Sequence, residues 1–371
     1  MTVRIVLAAG GTGGHLFPAE ALARILVARG AEPVLVTDPR TSGFATDLPG
    51  LAVHRLPLQP MRGGVVGRIR GGLGLCAGTL AARGLLRRLA PDAIVGFGGY
   101  PSVPTVFAGR NLGRPILLHE QNAVLGKANR MLAGRATRIA TSFPTLRLLD
   151  PGLASKVVET GNPVRPAIAA LNRQPYAPPA AGGPIEILVM GGSQGAAVFA
   201  TRLPEALARL PDALRVRLRL TQQARADDVE PVRAAYARMG IPAVVERFFA
   251  DVPDRLARAH LVVSRSGAST VAEIAAAGRP SLLVPYPHAA DDHQTDNAGH
   301  LVRAGAAWLA PEGTVDAAGL AALLAGVLDD PARLAAAAAA ARGLGRPDAA
   351  DRLADAVLAL VAIPPAMERA A

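Results

Sequence analysis

The chain of 371 residues is poor in cysteine and aromatic side chains, and each scarcity excludes a class of protein. A single cysteine, Cys76, rules out an intrachain disulfide and a metal site built from several thiolates. Phe, Trp and Tyr make up only 4% of the residues and do not alternate with basic residues. Stacking of nucleic-acid bases needs such aromatics, so we expect no nucleic-acid partner.

The chain also lacks long apolar runs and has almost no lysine. The run before the first glycines, Ile5 to Ala9, is too short for a signal peptide or a membrane span, so we expect a cytoplasmic protein. The net charge of +11 comes almost entirely from arginine, because lysine occurs only at 127 and 156. Phosphorylated ligands and anionic lipid suit such a charge.

Strand-like and helix-like segments alternate along both halves of the chain, which is typical of parallel sheets covered on both faces. We therefore predict an α/β protein with two doubly wound Rossmann-like domains facing a cleft. The predicted domains are residues 1–163, 164–345 and a C-terminal helix in 346–371 that packs back on the first domain. GNPVRP, at 161–166, is the expected hinge. The predicted strands are Val3–Ala9, Val34–Thr37, Ala93–Gly96, Pro115–His119, Ile139–Thr141, Ile185–Met190, Arg215–Leu220, Ala243–Glu246, Leu261–Ser264 and Ser281–Pro285. The predicted helices are Ala19–Arg29, Leu75–Leu89, Pro204–Leu210, Pro231–Met239, Thr270–Ala277 and Ala349–Val361.

Two similar glycine loops, GGTGGH at 10–15 and GGSQGA at 191–196, each lie between a predicted strand and a predicted helix. Free amides and the helix dipole make such a position suitable for phosphate, although a tight packing turn explains one loop equally well. Neither loop has the Walker pattern or the dinucleotide GxGxxG spacing. Four more polar loops follow predicted strands: GFGGYPS (96–102), HEQN (119–122), SRSGAST (264–270) and the stretch 285–298.

In this order, these motifs resemble those of the MurG family. The resemblance implies the two-domain glycosyltransferase B fold, with the donor nucleotide mostly on the second domain. It also implies inverting transfer of N-acetylglucosamine (GlcNAc) from UDP-GlcNAc to the 4-hydroxyl of the N-acetylmuramyl-pentapeptide of lipid I. That step gives lipid II in peptidoglycan synthesis, at the cytoplasmic face of the inner (plasma) membrane.

The resemblance assigns roles to single residues. His15 would be the general base for the acceptor hydroxyl, with phosphate binding as the alternative. Glu273 would accept the ribose hydroxyls, Arg165 would contact donor phosphate, and the backbone of Phe249 would read the uracil. The further substrate-binding candidates are Thr12, Gly13 and Gly14 on the acceptor side, Gly192, Ser193, Gln194 and Gly195 at the diphosphate, Ala268, Ser269 and Thr270 beside Glu273, and Asn122 and Gln294 at the sugar.

We expect no metal and no cofactor, since the Asp pairs 227–228 and 291–292 are adjacent rather than spaced as DxD.

Between Asp47 and Asp92 there is no acidic residue. The arginines of this stretch are Arg55, Arg62, Arg68, Arg70, Arg83, Arg87 and Arg88. An apolar stripe at helical spacing lies among them and consists of Val65, Ile69, Leu73, Cys76 and Leu80. This pattern predicts contact with an anionic membrane surface, or else an ordinary helix packed on the sheet.

Four alternatives stay open at the level of sequence. A related transferase with another lipid acceptor would share every motif. A UDP-sugar epimerase would need carboxylates and histidines in the second domain, a dehydrogenase would need the GxGxxG spacing, and a non-enzymatic lipid-binding protein would leave His15 unexplained.

Overall fold

The structure, a computed structural model, describes residues 2–10, 13–39, 48, 50–57, 65–192 and 195–362, without the side chains of 65–71 and 73. The chain divides into two compact units. The first unit comprises Met1–Val164 and Asp348–Ala371, and the second comprises Arg165–Pro347.

The first unit is built on a parallel sheet. Among the described residues its strands are β1 (Arg4–Ala8), β2 (Glu32–Thr37), β3 (Ala52–Arg55), β4 (Ala93–Gly96), β5 (Ile116–Glu120), β6 (Arg138–Thr141) and β7 (Val157–Glu159). Their order is β3-β2-β1-β4-β5-β6-β7, so the chain reverses its direction of travel between β1 and β4. Val6 on β1 pairs with Val34 on one side and with Ile94 on the other.

Helices cover both faces of this sheet, which explains why its central strands β1 and β4 are buried and largely apolar. The helices of the first unit are α1 (Gly13–Ala28), α2 (Val65–Leu89), α3 (Ser102–Asn111), α4 (Lys127–Leu132) and, after the second unit, α14 (Ala349–Ala362). Val6 lies in the buried cluster that contains residues of α2 and α3. Ile5 and Leu7, on the opposite face of β1, lie in the cluster that contains α1 and α14.

The second unit repeats this architecture. Its described strands are β8 (Ile185–Met190), β9 (Leu218–Gln223), β10 (Ala243–Glu246), β11 (Leu261–Ser264), β12 (Ser281–Leu283) and β13 (Ala307–Leu309). They are parallel and ordered β10-β9-β8-β11-β12-β13, with the reversal between β8 and β11. Its helices are α5 (Pro166–Ala169), α6 (Ala197–Leu207), α7 (Asp212–Arg215), α8 (Val229–Arg238), α9 (Val252–Arg258), α10 (Ala268–Ala277), α11 (His293–Arg303), α12 (Ala317–Leu328) and α13 (Pro331–Leu344).

Two parallel, doubly wound sheets confirm the predicted fold class. One predicted strand was wrong in its position: Arg215 does not start a strand but ends the short helix α7, where its guanidinium meets Asp212 at 2.6 Å. The strand β9 follows at Leu218–Gln223.

In the described part of the chain, no helix is both long and apolar enough to cross a membrane.

Candidate active site

The two glycine loops lie at the two points where strand order reverses. The first glycine loop follows β1, and the GFGGYPS loop follows the neighbouring strand β4. The second glycine loop follows β8, and the SRSGAST loop follows the neighbouring strand β11. Outside the carboxyl ends of parallel strands, such a reversal opens a crevice in which doubly wound proteins bind ligands. Each unit therefore has its own candidate binding edge.

His15 lies in the first turn of α1, because that helix starts at Gly13 and not at Ala19 as predicted. Its half-buried ring rests on Gly98 and Gly99, whose φ angles are +82° and +71°. A Cβ on Gly98 would lie 3.5 Å from Cδ2 of His15, and one on Gly99 would lie 3.6 Å from Cε1. The positive φ angles favour glycine at both positions, and the distances show that the imidazole lies in contact range of this loop. Burial lowers the pKa of His15 to about 4, so the ring is neutral at pH 7.

A second histidine, His119, lies at the end of β5 and is fully buried. Its Nδ1 is 2.9 Å from Nε2 of Gln121, and its Nε2 is 3.2 Å from the carbonyl oxygen of Gly161. Since the amide of Gln121 donates to Nδ1, the proton of His119 is on Nε2 and is donated to Gly161. Burial lowers the pKa of His119 to about 4, and the hydrogen bond to Gly161 opposes this fall. The positive charge that His15 acquires in acid lowers the pKa of His119 slightly further.

Glu120 organises the loop that carries Asn122. Its buried carboxylate accepts from the backbone and side-chain nitrogens of Asn122, from the amide of Gly126 and from Nδ2 of Asn129. Burial raises the pKa of Glu120, and these donors oppose the rise because they favour the carboxylate. The side chain of Asn129 also reaches Gly98, since a Cβ there would lie 3.3 Å from Nδ2 of Asn129. Asn129 thus contacts both the HEQN loop, through Glu120, and the GFGGYPS loop, through Gly98.

In the second unit, the glycine loop runs from β8 into α6. The amide of Gly195 donates to the carbonyl oxygen of Gly192 at 3.0 Å, which closes a tight turn. Gly195 has a φ of +67°, and a Cβ there would lie 2.8 Å from Cγ of Arg225. No larger residue fits this turn without displacing Arg225.

Beside this loop, α10 begins at Ala268 with no acidic residue in its first turn, so the positive end of its dipole is not offset there. Ala268, Ser269 and Thr270 are half-buried in that turn. One turn on, Glu273 pairs with Arg165: Nε lies 2.9 Å from Oε1, and one terminal nitrogen lies 3.1 Å from Oε2. Burial raises the pKa of Glu273, while Arg165 acts in the opposite direction.

Gln294, on α11, connects two loops of this edge. Its side-chain oxygen accepts from the amides of Ser266 at 3.2 Å and Tyr286 at 3.0 Å. The side-chain oxygen is occupied by these bonds, so a ligand would meet the NH2 group instead. Arg265 also connects these loops. Its guanidinium donates to the carbonyl oxygens of residues 284 and 285 and forms an ion pair with Glu312 at 2.6 Å.

Phe249 is a buried anchor in the loop after β10. The guanidinium of Arg255 lies 4.1 Å from the centre of its ring and is itself held by Asp251 at 2.7 Å. The side chain therefore fixes the backbone of residue 249 and is not itself offered to a ligand.

Most predicted site residues fall into two groups, one in each unit. The first group, in the first turn of α1 and in the HEQN loop, comprises Gly13, Gly14, His15 and Asn122. The second group comprises Arg165, Gly192, Gly195, Ser269, Glu273 and Gln294. Thr12, Ser193 and Gln194 lie outside the described residues. Sequence reasoning assigned no role to His119, Glu120, Asn129 or Arg265. The first two stand in the HEQN motif and Arg265 stands in SRSGAST, so the motifs themselves were the signal.

The described residues contain no group of three or more His, Cys, Asp and Glu side chains that could hold a metal ion.

The second half of α2 exposes apolar and basic side chains on the same face. Cys76, Leu80 and Arg83 are exposed, as are Arg87 and Arg88, and Leu80 keeps 70% of its surface accessible. The opposite face contributes Ala82, Leu85 and Leu86 to the core. The predicted stripe residues Cys76 and Leu80 thus point away from the sheet, whereas the side chains of Val65, Ile69 and Leu73 lie outside the described residues.

Comparison with known proteins decides the family. The N-terminal domain model of glycosyltransferase family 28 matches residues 5–141, and the C-terminal domain model of the same family matches residues 186–353. The chain belongs to glycosyltransferase family 28.

Within family 28, the chain is similar to curated proteins with one shared name. A protein from Rhodospirillum centenum is 56% identical over 95% of this chain and 93% of its own length. A protein from Paramagnetospirillum magneticum is 52% identical over 96% of each chain. Both are named UDP-N-acetylglucosamine–N-acetylmuramyl-(pentapeptide) pyrophosphoryl-undecaprenol N-acetylglucosamine transferase.

Solved structures agree with this placement. The crystal structure of MurG from Acinetobacter baumannii superposes with a TM-score of 0.81 and 31% identity, covering 96% of this chain and 99% of that one. The calicheamicin glycosyltransferase CalG4 shares the fold, with a TM-score of 0.66 and 16% identity over 97% of this chain and 98% of its own. The resemblance to the MurG family that the motifs indicated is confirmed.

Proposed function

We propose that this chain transfers GlcNAc from UDP-GlcNAc to the 4-hydroxyl of the N-acetylmuramyl-pentapeptide of lipid I, giving lipid II and UDP. One observation carries the proposal: the 56% identity, over 95% of the chain, to a relative named for this reaction. The chemistry of the two strand edges supports it, because each edge offers a helix start to a phosphate-bearing substrate.

On the acceptor side, His15 is the proposed general base. The acceptor oxygen forms a bond to C1 of GlcNAc, its proton passes to the imidazole, and the bond from C1 to the phosphate oxygen breaks. A single displacement of this kind inverts the anomeric carbon. The lowered pKa of His15 keeps the ring unprotonated at pH 7 and thus able to accept a proton. The pyrophosphate of the acceptor would favour the imidazolium that forms.

On the donor side, the departing UDP takes the bonding electron pair as negative charge on phosphate. The amides of Gly192 to Gly195, with Ser193 and Gln194, and the first turn of α10 would meet that charge. Glu273 would accept the ribose hydroxyls, and the backbone at Phe249 would read the uracil. The NH2 of Gln294 and the side chain of Asn122 would hold sugar hydroxyls.

We assign the exposed face of α2, defined by Cys76, Leu80, Arg83, Arg87 and Arg88, to an anionic membrane surface. The acceptor's undecaprenyl tail must remain in the bilayer while its sugar reaches the site. A helix face with an apolar start and a cationic end suits the lipid headgroup region. The protein would then act as a peripheral protein at the cytoplasmic face of the inner (plasma) membrane, with no nucleic-acid partner.

UDP release by the purified chain tests the proposal. Release from UDP-GlcNAc should require the lipid-linked N-acetylmuramyl-pentapeptide and should fall about 10²–10⁴-fold in His15→Ala, the usual contribution of a general base. Release without any acceptor would point to a hydrolase or an epimerase. Release with diacylglycerol but not with the muramyl lipid would point to a related transferase with another acceptor.

A further inference from the structure

Arg165 and Glu273 engage each other side by side, with both oxygens of the carboxylate used. Arg165 stands at the start of α5, the first helix of the second unit, and Glu273 stands on α10, 108 residues further along the chain. The glutamate side chain keeps only 16% of its surface exposed, while the arginine keeps 44%. Most of the Glu273 side chain is therefore enclosed, and Arg165 donates to both of its carboxylate oxygens.

The proposed function gives these two side chains different parts of one donor molecule. Glu273 would take the ribose and Arg165 would take phosphate. A cis-diol and a guanidinium can both approach a carboxylate side by side, each with two donors for its two oxygens. Arg165 already takes both oxygens and little of Glu273 is exposed, so we expect the ribose hydroxyls to compete with Arg165 and displace it.

A ligand with phosphate compensates for that displacement and a bare nucleoside does not. When UDP binds, Arg165 exchanges a carboxylate for a phosphate, which is an equally good bidentate partner. When uridine binds, Arg165 loses its partner and gains none.

We propose that the Arg165–Glu273 ion pair is a specificity device, which makes the donor site select uridine phosphates and reject unphosphorylated uridine. This inference rests on the proposed function, because it takes the ribose and phosphate contacts from there. It assigns Arg165 two opposite effects: the residue strengthens the binding of UDP and weakens the binding of uridine.

The test compares the affinities of UDP and uridine for the full chain and its variants by equilibrium titration with ligand-detected NMR. In Arg165→Ala, UDP should bind at least about tenfold more weakly, and uridine should bind about fivefold more tightly, which is about 1 kcal/mol and matches a partly exposed ion pair. The gain for uridine should vanish in the double variant Arg165→Ala/Glu273→Gln, since it depends on the freed carboxylate.

Arg233→Ala is the matched control, because Arg233 also pairs with a glutamate in the second unit and its side chain is 48% exposed. It should leave both affinities unchanged. Unchanged or weaker binding of uridine to Arg165→Ala would overturn the inference, as would a gain that persists in the double variant. If the unmodified chain bound uridine as well as it bound UDP, the ion pair would have no selective effect. If that chain bound neither ligand, the proposed function itself would fall, and the inference with it.

Discussion

Replacing His119 by glutamine should reduce the loss of stability that the first unit suffers when the pH falls. The buried imidazole has a pKa of about 4 in the folded chain, against 6.5 for an unperturbed histidine. Because the folded value is the lower one, the unfolded chain binds the proton first. The stability contributed by neutral His119 is therefore complete above about pH 6.5 and is lost progressively as the pH falls towards about 4.

The size of this effect follows from the pKa difference. One pKa unit corresponds to about 1.4 kcal/mol, so the loss approaches about 3 kcal/mol once the pH is below both values. Between about pH 7 and about pH 5, the same difference removes about 2 kcal/mol from the free energy of unfolding. His119→Gln keeps a donor for the carbonyl oxygen of Gly161 and cannot be protonated, so this part of the pH dependence should disappear.

The assay is urea unfolding of the full chain at about pH 7 and about pH 5, with one transition fitted for each unit. The variant should be less stable than the unmodified chain at pH 7, since the bond from Gln121 is lost, but its stability should fall less on acidification. His288→Gln is the control, because His288 is exposed on the second unit. An equal acid-induced loss in His119→Gln and in the unmodified chain would refute the buried neutral imidazole.

Three further predictions concern catalysis and the membrane. The acid limb of the pH profile of kcat/KM should lie below about pH 5, because burial lowers the pKa of His15 to about 4 and only the neutral ring can accept a proton. Glu120→Gln should lower kcat about ten- to hundredfold while the affinity for UDP stays unchanged. The carboxylate of Glu120 now accepts hydrogen bonds from several N–H groups. The NH2 group of a glutamine would face those donors without being able to accept from them, and this would displace Asn122. Reversing Arg83, Arg87 and Arg88 to glutamate should abolish co-sedimentation with anionic vesicles, since each basic residue contributes about 1 kcal/mol near such a surface.

Each of these predictions has its own control and contrary result. An acid limb near pH 6.5, the ordinary value of a histidine, would show that burial does not lower the pKa of the titrating base. A Glu120→Gln variant that lost UDP affinity in parallel would point to general unfolding. For the vesicles, the control is the triple reversal of the exposed arginines of the second unit, Arg209, Arg233 and Arg238. If both triple variants lost vesicle binding equally, the change in net charge alone would explain the loss, and the face of α2 would have no special part in it.

The alternation of apolar runs and helix-like segments predicted the central strands well. Ala93–Gly96, Ile185–Met190 and Leu261–Ser264 have the bounds that the sequence indicated, because most of their side chains are apolar and buried, with Glu186 as the charged exception. The strands that sequence reasoning missed, β3, β7 and β13, lie at sheet edges and are only partly buried. β3 and β7 each contain a charged residue, and β13 is only three residues long, so none of them is marked clearly as a strand.

The starts of the helices that follow the two glycine loops were predicted too late. Glycines at its start hide the first turn of α1, which begins at Gly13, and α6 begins at Ala197, with Pro204 inside it and not at its start. The motifs located the candidate site residues, but they could not give the contacts among them. Glu120 gathers its donors from a loop that only the folded chain wraps around it, and Arg165 meets Glu273 across 108 residues.

The most direct test of the account is the structure of the product made from UDP-GlcNAc and the lipid-linked N-acetylmuramyl-pentapeptide. Mass spectrometry should show that the lipid gains one N-acetylhexosamine, and a β-specific hexosaminidase should remove it, because single displacement inverts the α-linked donor. UDP release without a change in the mass of the lipid would contradict the transferase. A product that resists the β-specific enzyme and yields to an α-specific one would contradict the single displacement at His15.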